Sequence, residues 1–251
     1  MAYTKRFDGR KFDETRKITA KVGVVPNADG SAMFSFGDTV AIAAVYGPKQ
    51  LHPQHMQNPE KGILRCNYNM MSFSVSDRIR PGPSKRSTEI SKVTEWALEP
   101  ALMLYDFPNT VVDVHISIPQ ADASTRCAGI NAASLALAHA GIPMKELISS
   151  VSIGKMDKEL VVDVNKKEED YEEGEGATDM AMSFLSRSGK LTHIQLDGNI
   201  STKELNDAIK LGKKISQKIH EIQIKALKEI KDKHSEKASK KESKKWWKEM
   251  V

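Results

Sequence analysis

The chain has 251 residues, 39% hydrophobic and 28% charged, enough to bury a substantial core as one large soluble domain or two fused halves. Its formal net charge of +5 owes much to lysines clustered near the C-terminus, so basicity alone does not select a nucleic-acid partner. The opening MAYTKRFDGRKFDETRK is charged where a signal peptide needs an apolar stretch, and no apolar run is long enough to cross a bilayer; a cytoplasmic protein with no membrane partner is expected.

In chain order, Lys17 to Val25 and Ser31 to Tyr46 alternate as strands around the turn formers of Pro26 to Gly30, which predicts a hairpin. A third extended run, Leu64 to Val75, leads into a basic loop from Asp77 to Arg86 that two prolines and a glycine keep irregular. Ile90, Val93, Ala97, Ala101 and Leu104 recur at helical spacing, predicting a helix over Thr88 to Leu104 with a kink at Pro100. Thr110 to Ile118 alternates as a strand. The small-residue run Ser124 to Ala140 predicts a closely packed helix with Ser124 near its N-cap and Gly141 at its end.

Strands are expected around Val151 to Ile153, Glu159 to Val164, Asp179 to Leu185 and Leu191 to Leu196. In the third of these, Met180, Met182 and Phe184 face one way and Asp179, Ala181 and Ser183 the other. A Ser201-Thr202-Lys203-Glu204 capping box then opens a long helix. Its stripe runs through Leu205, Ala208, Ile209, Ile215, Ile219, Ile222 and Ala226, with Gly212 on the same face, where a neighbour can approach closely. The order of elements gives an α+β class, with helices layered on mixed sheets. A domain is expected over residues 1–233, with residues 234–251 as a lysine-rich, flexible tail.

Three segments carry candidate chemistry. Gln120 to Arg126 passes from a strand into a helix start, where free N–H groups, the helix dipole, the hydroxyls of Ser124 and Thr125 and the Arg126 guanidinium suit a tetrahedral oxyanion. Taken alone, it also fits an ordinary cap. Lys85 and Arg86 close the basic loop and Arg65 lies on the preceding strand; such cations suit nucleic-acid phosphates, though a solvated loop would look the same. Asp179 begins its strand and, if it meets Arg126 and Arg86, can donate a proton or help hold a divalent cation. The acidic run Glu168 to Glu175 reads as a solvated loop, the histidines show no zinc-ligand spacing, and Cys66 and Cys127 read as two reduced thiols.

Together these segments resemble the RNase PH family, and within it the catalytic ring subunits of the archaeal exosome. The resemblance runs to about residue 230 and is carried by FDGRKFDETRKI, GSAMFSFGDTVAIAAVYGP, RPGPSKRSTEISKVTEWALEPAL, IPQADASTRCAGINAASLALAHAGIPM, and GATDMAM followed by LDG. It implies an RNase PH-like fold of two halves and phosphate-dependent, reversible 3′-to-5′ degradation of single-stranded RNA. Inorganic phosphate would be the co-substrate, bound at Ser124, Thr125 and Arg126, with magnesium assisting. RNA would be held by Lys85 and Arg86, with Arg65 at the neck of a ring channel, and Asp179 would be the catalytic acid or a metal-associated carboxylate. The implied partners are a non-catalytic paralogue, forming a hexameric ring of three heterodimers, and RNA-binding cap subunits. Lys85 stands where a second arginine is usual, Ser124 where glycine is common, and the acidic stretch before Asp179 is longer than usual. The alternatives are a non-catalytic RNA-binding ring subunit and a stand-alone RNase PH that trims transfer-RNA ends.

Overall fold

The computed structural model describes residues 3–171 and 176–249, as helical backbone alone from residue 231 onward. Alternating β-branched and small residues build the first sheet. β1 (Ile18–Val22), β2 (Gly30–Phe36) and β3 (Thr39–Gln50) form an antiparallel meander. The run expected as one strand, Ser31 to Tyr46, is thus itself a hairpin. Its turn is Gly37-Asp38, with Phe36 paired to Thr39 and Gly37 at φ +54°, and a two-residue turn of this kind interrupts the alternation too briefly to stand out in the sequence.

β4 (Ile63–Met70) and β5 (Thr110–Gln120) complete the sheet in the order β1-β2-β3-β5-β4, β5 antiparallel to β3 and β4 parallel to β5. A parallel pair needs a crossover, and α1 (Lys85–Leu98) lies within it. α1 also seals the free edge of β4: Cys66 N–H donates to Glu95 Oε1 at 3.0 Å and Tyr68 N–H to Ser91 Oγ at 2.9 Å. The helix starts earlier than its apolar spacing predicts, because Ser84 and Ser87 form a capping box. It also ends earlier, at Leu98, where Pro100 turns the chain into a 3-10 turn over Glu99–Ala101 instead of kinking a longer helix.

α2 (Thr125–His139) is buried along nearly its whole length, which is why its sequence is small and apolar on every side. Beyond it β6 (Ile148–Met156), β7 (Glu159–Val162), the one-turn α3 (Lys166–Glu169), β8 (Ala177–Leu185) and β9 (Leu191–Asp197) contribute a second sheet in the order β7-β6-β8-β9. α2 packs against β2, β3 and β6, so it lies between the two sheets. α4 (Thr202–Glu249) begins with the expected box, Ser201 N–H donating to Glu204 Oε2 at 2.9 Å and Glu204 N–H to Ser201 Oγ at 3.3 Å. It packs against β6 and β8 and reaches β1. A Cβ on Gly212 would meet the Phe184 ring at 3.2 Å and Met182 Sδ at 3.3 Å, so the glycine is where two elements touch. The alternation in β8 holds, and both of its faces are buried.

The acidic run is not simply a solvated loop. Glu168 is fully buried, paired with Arg6 at 2.7 Å and accepting from Tyr3 Oη at 2.9 Å. The rest of that run, from Glu172 to Glu175, lies outside the described residues. The lysine-rich tail expected from residue 234 falls on the end of α4, where the side chains, Trp246 and Trp247 among them, also lie outside them. Among the described residues no helix is long and apolar enough to cross a membrane, and both cysteines are free and buried.

Candidate active site

The β5-to-α2 connection is shaped by a network rather than by glycine. Ala123 and Ser124 both have left-handed backbone, at φ +53° and +54°, a conformation that costs a non-glycine residue on the order of 1 kcal/mol. Thr39 Oγ1 donates to the carbonyls of Asp122 and Ala123 and accepts from Asp122 N–H at 2.9 Å. Arg16 pairs with the carboxylates of Asp122, at 3.0 Å, and Asp163, at 2.7 Å. These contacts over-determine the turn.

Ser124 is therefore not the ordinary cap its position allowed. Its hydroxyl makes no cap bond and instead donates to Val164 O at 3.0 Å. The first helical bond beyond it runs from Ala128 N–H to Ser124 O at 3.1 Å, which leaves the N–H groups of Thr125, Arg126 and Cys127 ahead of the helical ladder. Such groups, at the positive end of a helix dipole, favour an anion.

A pocket of about 240 Å³ opens over this turn, with Arg86, Ser124, Thr125, Arg126 and Asp179 all in its lining. α1, α2 and β8 thus each bring one or more of these residues to a single pocket, which the sequence spacing alone did not show. Arg86 is exposed in the first turn of α1, inside the helix rather than in the loop before it. Lys85, also in that turn, is exposed but does not line the pocket. Arg65 lies apart on β4, its guanidinium held by both Asp113 oxygens at 2.6 and 3.0 Å.

Asp179 accepts from Ser152 Oγ at 2.5 Å. Burial, with Glu169 and Asp197 nearby, pushes its carboxyl above the usual range, although Ser152 and Arg126 oppose the shift. Asp197 faces it across the β8–β9 pair, and both line the pocket. Among the described residues no three His, Cys, Asp or Glu side chains form a ready metal cluster. Asp179 and Asp197 are the two pocket carboxylates that would hold a divalent cation.

Several pocket groups carry only weak sequence signals. Gln195 and Asp197 follow from the period of two in β9, and Asp197 belongs to the quoted LDG. Glu89 sits three residues after Arg86 and so on the same face of α1, where Arg126 Nη2 donates to it at 3.0 Å. Ser152 carries no motif, and only tertiary structure reveals it.

Comparison with known proteins agrees with this architecture. The two domain models of the 3′ exoribonuclease family, RNase PH, match residues 14–143 and 146–215. The chain belongs to the RNase PH family of 3′ exoribonucleases. The exosome complex component Rrp41 of Thermococcus kodakarensis is 50% identical over 225 residues, 90% of this chain and 89% of that protein. The Rrp41 component of Methanopyrus kandleri is 45% identical over 224 residues, 89% of this chain and 92% of that protein. Among solved structures, rice (Oryza sativa) Rrp46 superposes with a TM-score of 0.79 at 28% identity, covering 89% of this chain and 100% of that one. A chain of the Archaeoglobus fulgidus exosome with RNA bound to the active site gives 0.73 at 22% identity, covering 86% and 92%, and supports the fold. Within its family, this is an exosome subunit of the archaeal kind.

Proposed function

We propose that this chain is the catalytic subunit of an archaeal exosome ring and shortens single-stranded RNA from its 3′ end by phosphorolysis. A phosphate oxygen attacks the terminal phosphodiester, the bond to the preceding 3′ oxygen breaks, and that oxygen takes up a proton. A nucleoside 5′-diphosphate leaves, and the reverse reaction extends a 3′ tail. The observation that carries this reading is the meeting of Arg86, the Ser124–Arg126 helix start and Asp179 in one pocket.

Two anions must approach each other there, so the chemistry rests on positive groups fixed in advance. The α2 N–H groups, Thr125 and Arg126 hold the attacking phosphate; Ser124 serves through its backbone, since its hydroxyl is engaged by Val164. Arg86 holds the terminal nucleotide's phosphate and Lys85 the RNA behind it. Asp179, whose carboxyl is shifted upward, supplies the proton to the departing 3′ oxygen. In a metal-assisted form of the reaction an ionised Asp179, together with Asp197, would instead hold a magnesium ion, which when bound offsets negative charge on the reacting phosphates. Arg65 guides single strands at the neck of a cytoplasmic hexameric ring built with a non-catalytic paralogue as three heterodimers, under RNA-binding cap subunits.

The test is degradation of poly(A) by the ring co-expressed with its paralogue, with and without inorganic phosphate, comparing wild type with Asp179→Ala. ADP release that needs phosphate and is lost in the variant supports the proposal. RNA binding without nucleotide release from either protein would assign the chain an architectural role, and AMP release without phosphate would mean hydrolysis.

A further inference from the structure

Arg126 has more to do than a phosphate-binding arginine held only by its backbone. Its Nη2 donates to both oxygens of Glu89, at 3.0 and 3.4 Å, while its Nε is buried without a hydrogen-bond partner. Glu89 Oε1 also accepts from Gln195 Nε2 at 3.1 Å. Gln195 Oε1, likewise buried, has no partner. One carboxylate on α1 thus ties an arginine on α2 to an amide on β9, and both of its partners line the pocket.

A carboxylate beside an anion site is electrostatically unfavourable for anion binding, so charge alone gives Glu89 no reason to be there. Its geometry does. A guanidinium presents its donors as a rigid planar fork. Fixing Nη2 on Glu89 sets the plane of that fork and withholds Nε from any protein acceptor, leaving a desolvated donor for the ligand. Arg86 stands one helical turn before Glu89, so the same contact also sets the spacing between the α1 and α2 cations.

We propose that Glu89 is a positioning residue that orients Arg126 toward inorganic phosphate, with Gln195 as its second anchor. This rests on the phosphorolytic reading above. Loss of the contact frees the guanidinium to swing, which weakens phosphate binding more than RNA binding.

The experiment measures phosphorolysis of poly(A) by the assembled ring at varied phosphate for wild type, Glu89→Ala, Glu89→Gln and Gln195→Leu, with ring assembly and thermal melting checked for each. Glu89→Ala is expected to raise the phosphate KM by about 10-fold or more, the scale of one charge-assisted hydrogen bond, and to leave the RNA Kd within about twofold. Glu89→Gln, whose amide oxygen still accepts from Nη2, should recover most of the loss, and Gln195→Leu should shift the phosphate KM the same way by less. If Glu89→Ala and Glu89→Gln both lower the phosphate KM, Glu89 only repels the anion and the proposal is overturned. An unchanged phosphate KM, or equal effects on phosphate and RNA, overturns it as well. If Glu89→Ala fails to assemble, the Gln and Gln195 variants decide. Wild-type rings that release no diphosphate would instead count against phosphorolysis itself.

Discussion

Asp179 shows how a single buried carboxyl can carry a stability cost. Its carboxyl sits above the usual range, mainly through burial, so the fold holds its proton more tightly than the unfolded chain does. Below the unfolded value of 3.8 the group is protonated in both states and carries no penalty. As pH rises above 3.8 the unfolded chain ionises while the folded carboxyl keeps its proton, so the penalty grows from there until the folded group ionises as well. Asp179→Asn should therefore raise stability at pH 7 by on the order of 1 kcal/mol, and the gain should disappear as the pH falls toward 3.8. The same substitution should lower the rate of nucleotide release by about 10²- to 10⁴-fold. Urea titrations at a series of pH values, alongside the assay, test both; a variant less stable than wild type at pH 7 would contradict the burial argument.

At the scale of elements, α4 meets the second sheet at a close contact. A Cβ on Gly212 meets Phe184 and Met182 at 3.2 to 3.3 Å, tolerable only if those side chains yield. Gly212→Val adds γ-methyls and should destabilise by about 1–3 kcal/mol through overpacking, whereas in Gly212→Ala the gain of up to about 1 kcal/mol in helix propensity offsets the crowding. Equal melting temperatures for the Val and Ala variants would rule out close approach as the reason for the glycine. The start of α1 gives a second check. Ser84→Ala removes the acceptor for Ser87 N–H and should cost about 1 kcal/mol in urea unfolding, a smaller loss than a buried contact gives because the cap is exposed.

These two elements also mark what was legible in the sequence. Apolar periodicity and capping residues placed α2, α4 and most strands, because such signals act within a few residues. The Gly37-Asp38 turn was hidden because the alternation resumes at once. The α1 boundary was misplaced because Ser84 and Pro100 lie outside its apolar spacing. For the site, chain order disclosed the α2 start, the basic α1 start and Asp179, but only the fold unites them. Ser152, Glu89 and the turned Ser124 hydroxyl depend on partners 27 to 40 residues away, a range over which single-sequence periodicity carries no information.

At the scale of the whole molecule, the N-terminal segment fastens the first half to the second. Arg6 donates through Nε and Nη2 to the two Glu168 oxygens, both at 2.7 Å, and through Nη1 and Nη2 to the carbonyls of Val162 and Asp163 at 2.7 and 2.9 Å. Arg16 then carries the connection from Asp163 to Asp122 in the turn before α2. A fully buried ion pair is not by itself a source of large net stability, because both charges are desolvated. Its asymmetry is the testable part. Arg6→Met leaves Glu168 buried without its cation and should cost about 3–5 kcal/mol, whereas Arg6→Met combined with Glu168→Gln should recover much of that loss. Because Glu168 is followed in α3 by Glu169, which lines the pocket, the single variant should also weaken phosphate use under conditions where the ring remains folded. A double-mutant cycle in urea, with phosphate KM measured on the same proteins, separates these effects. If the two substitutions add without coupling, the segment contributes only local contacts; if they couple while phosphate KM stays fixed, it joins the halves without tuning the site.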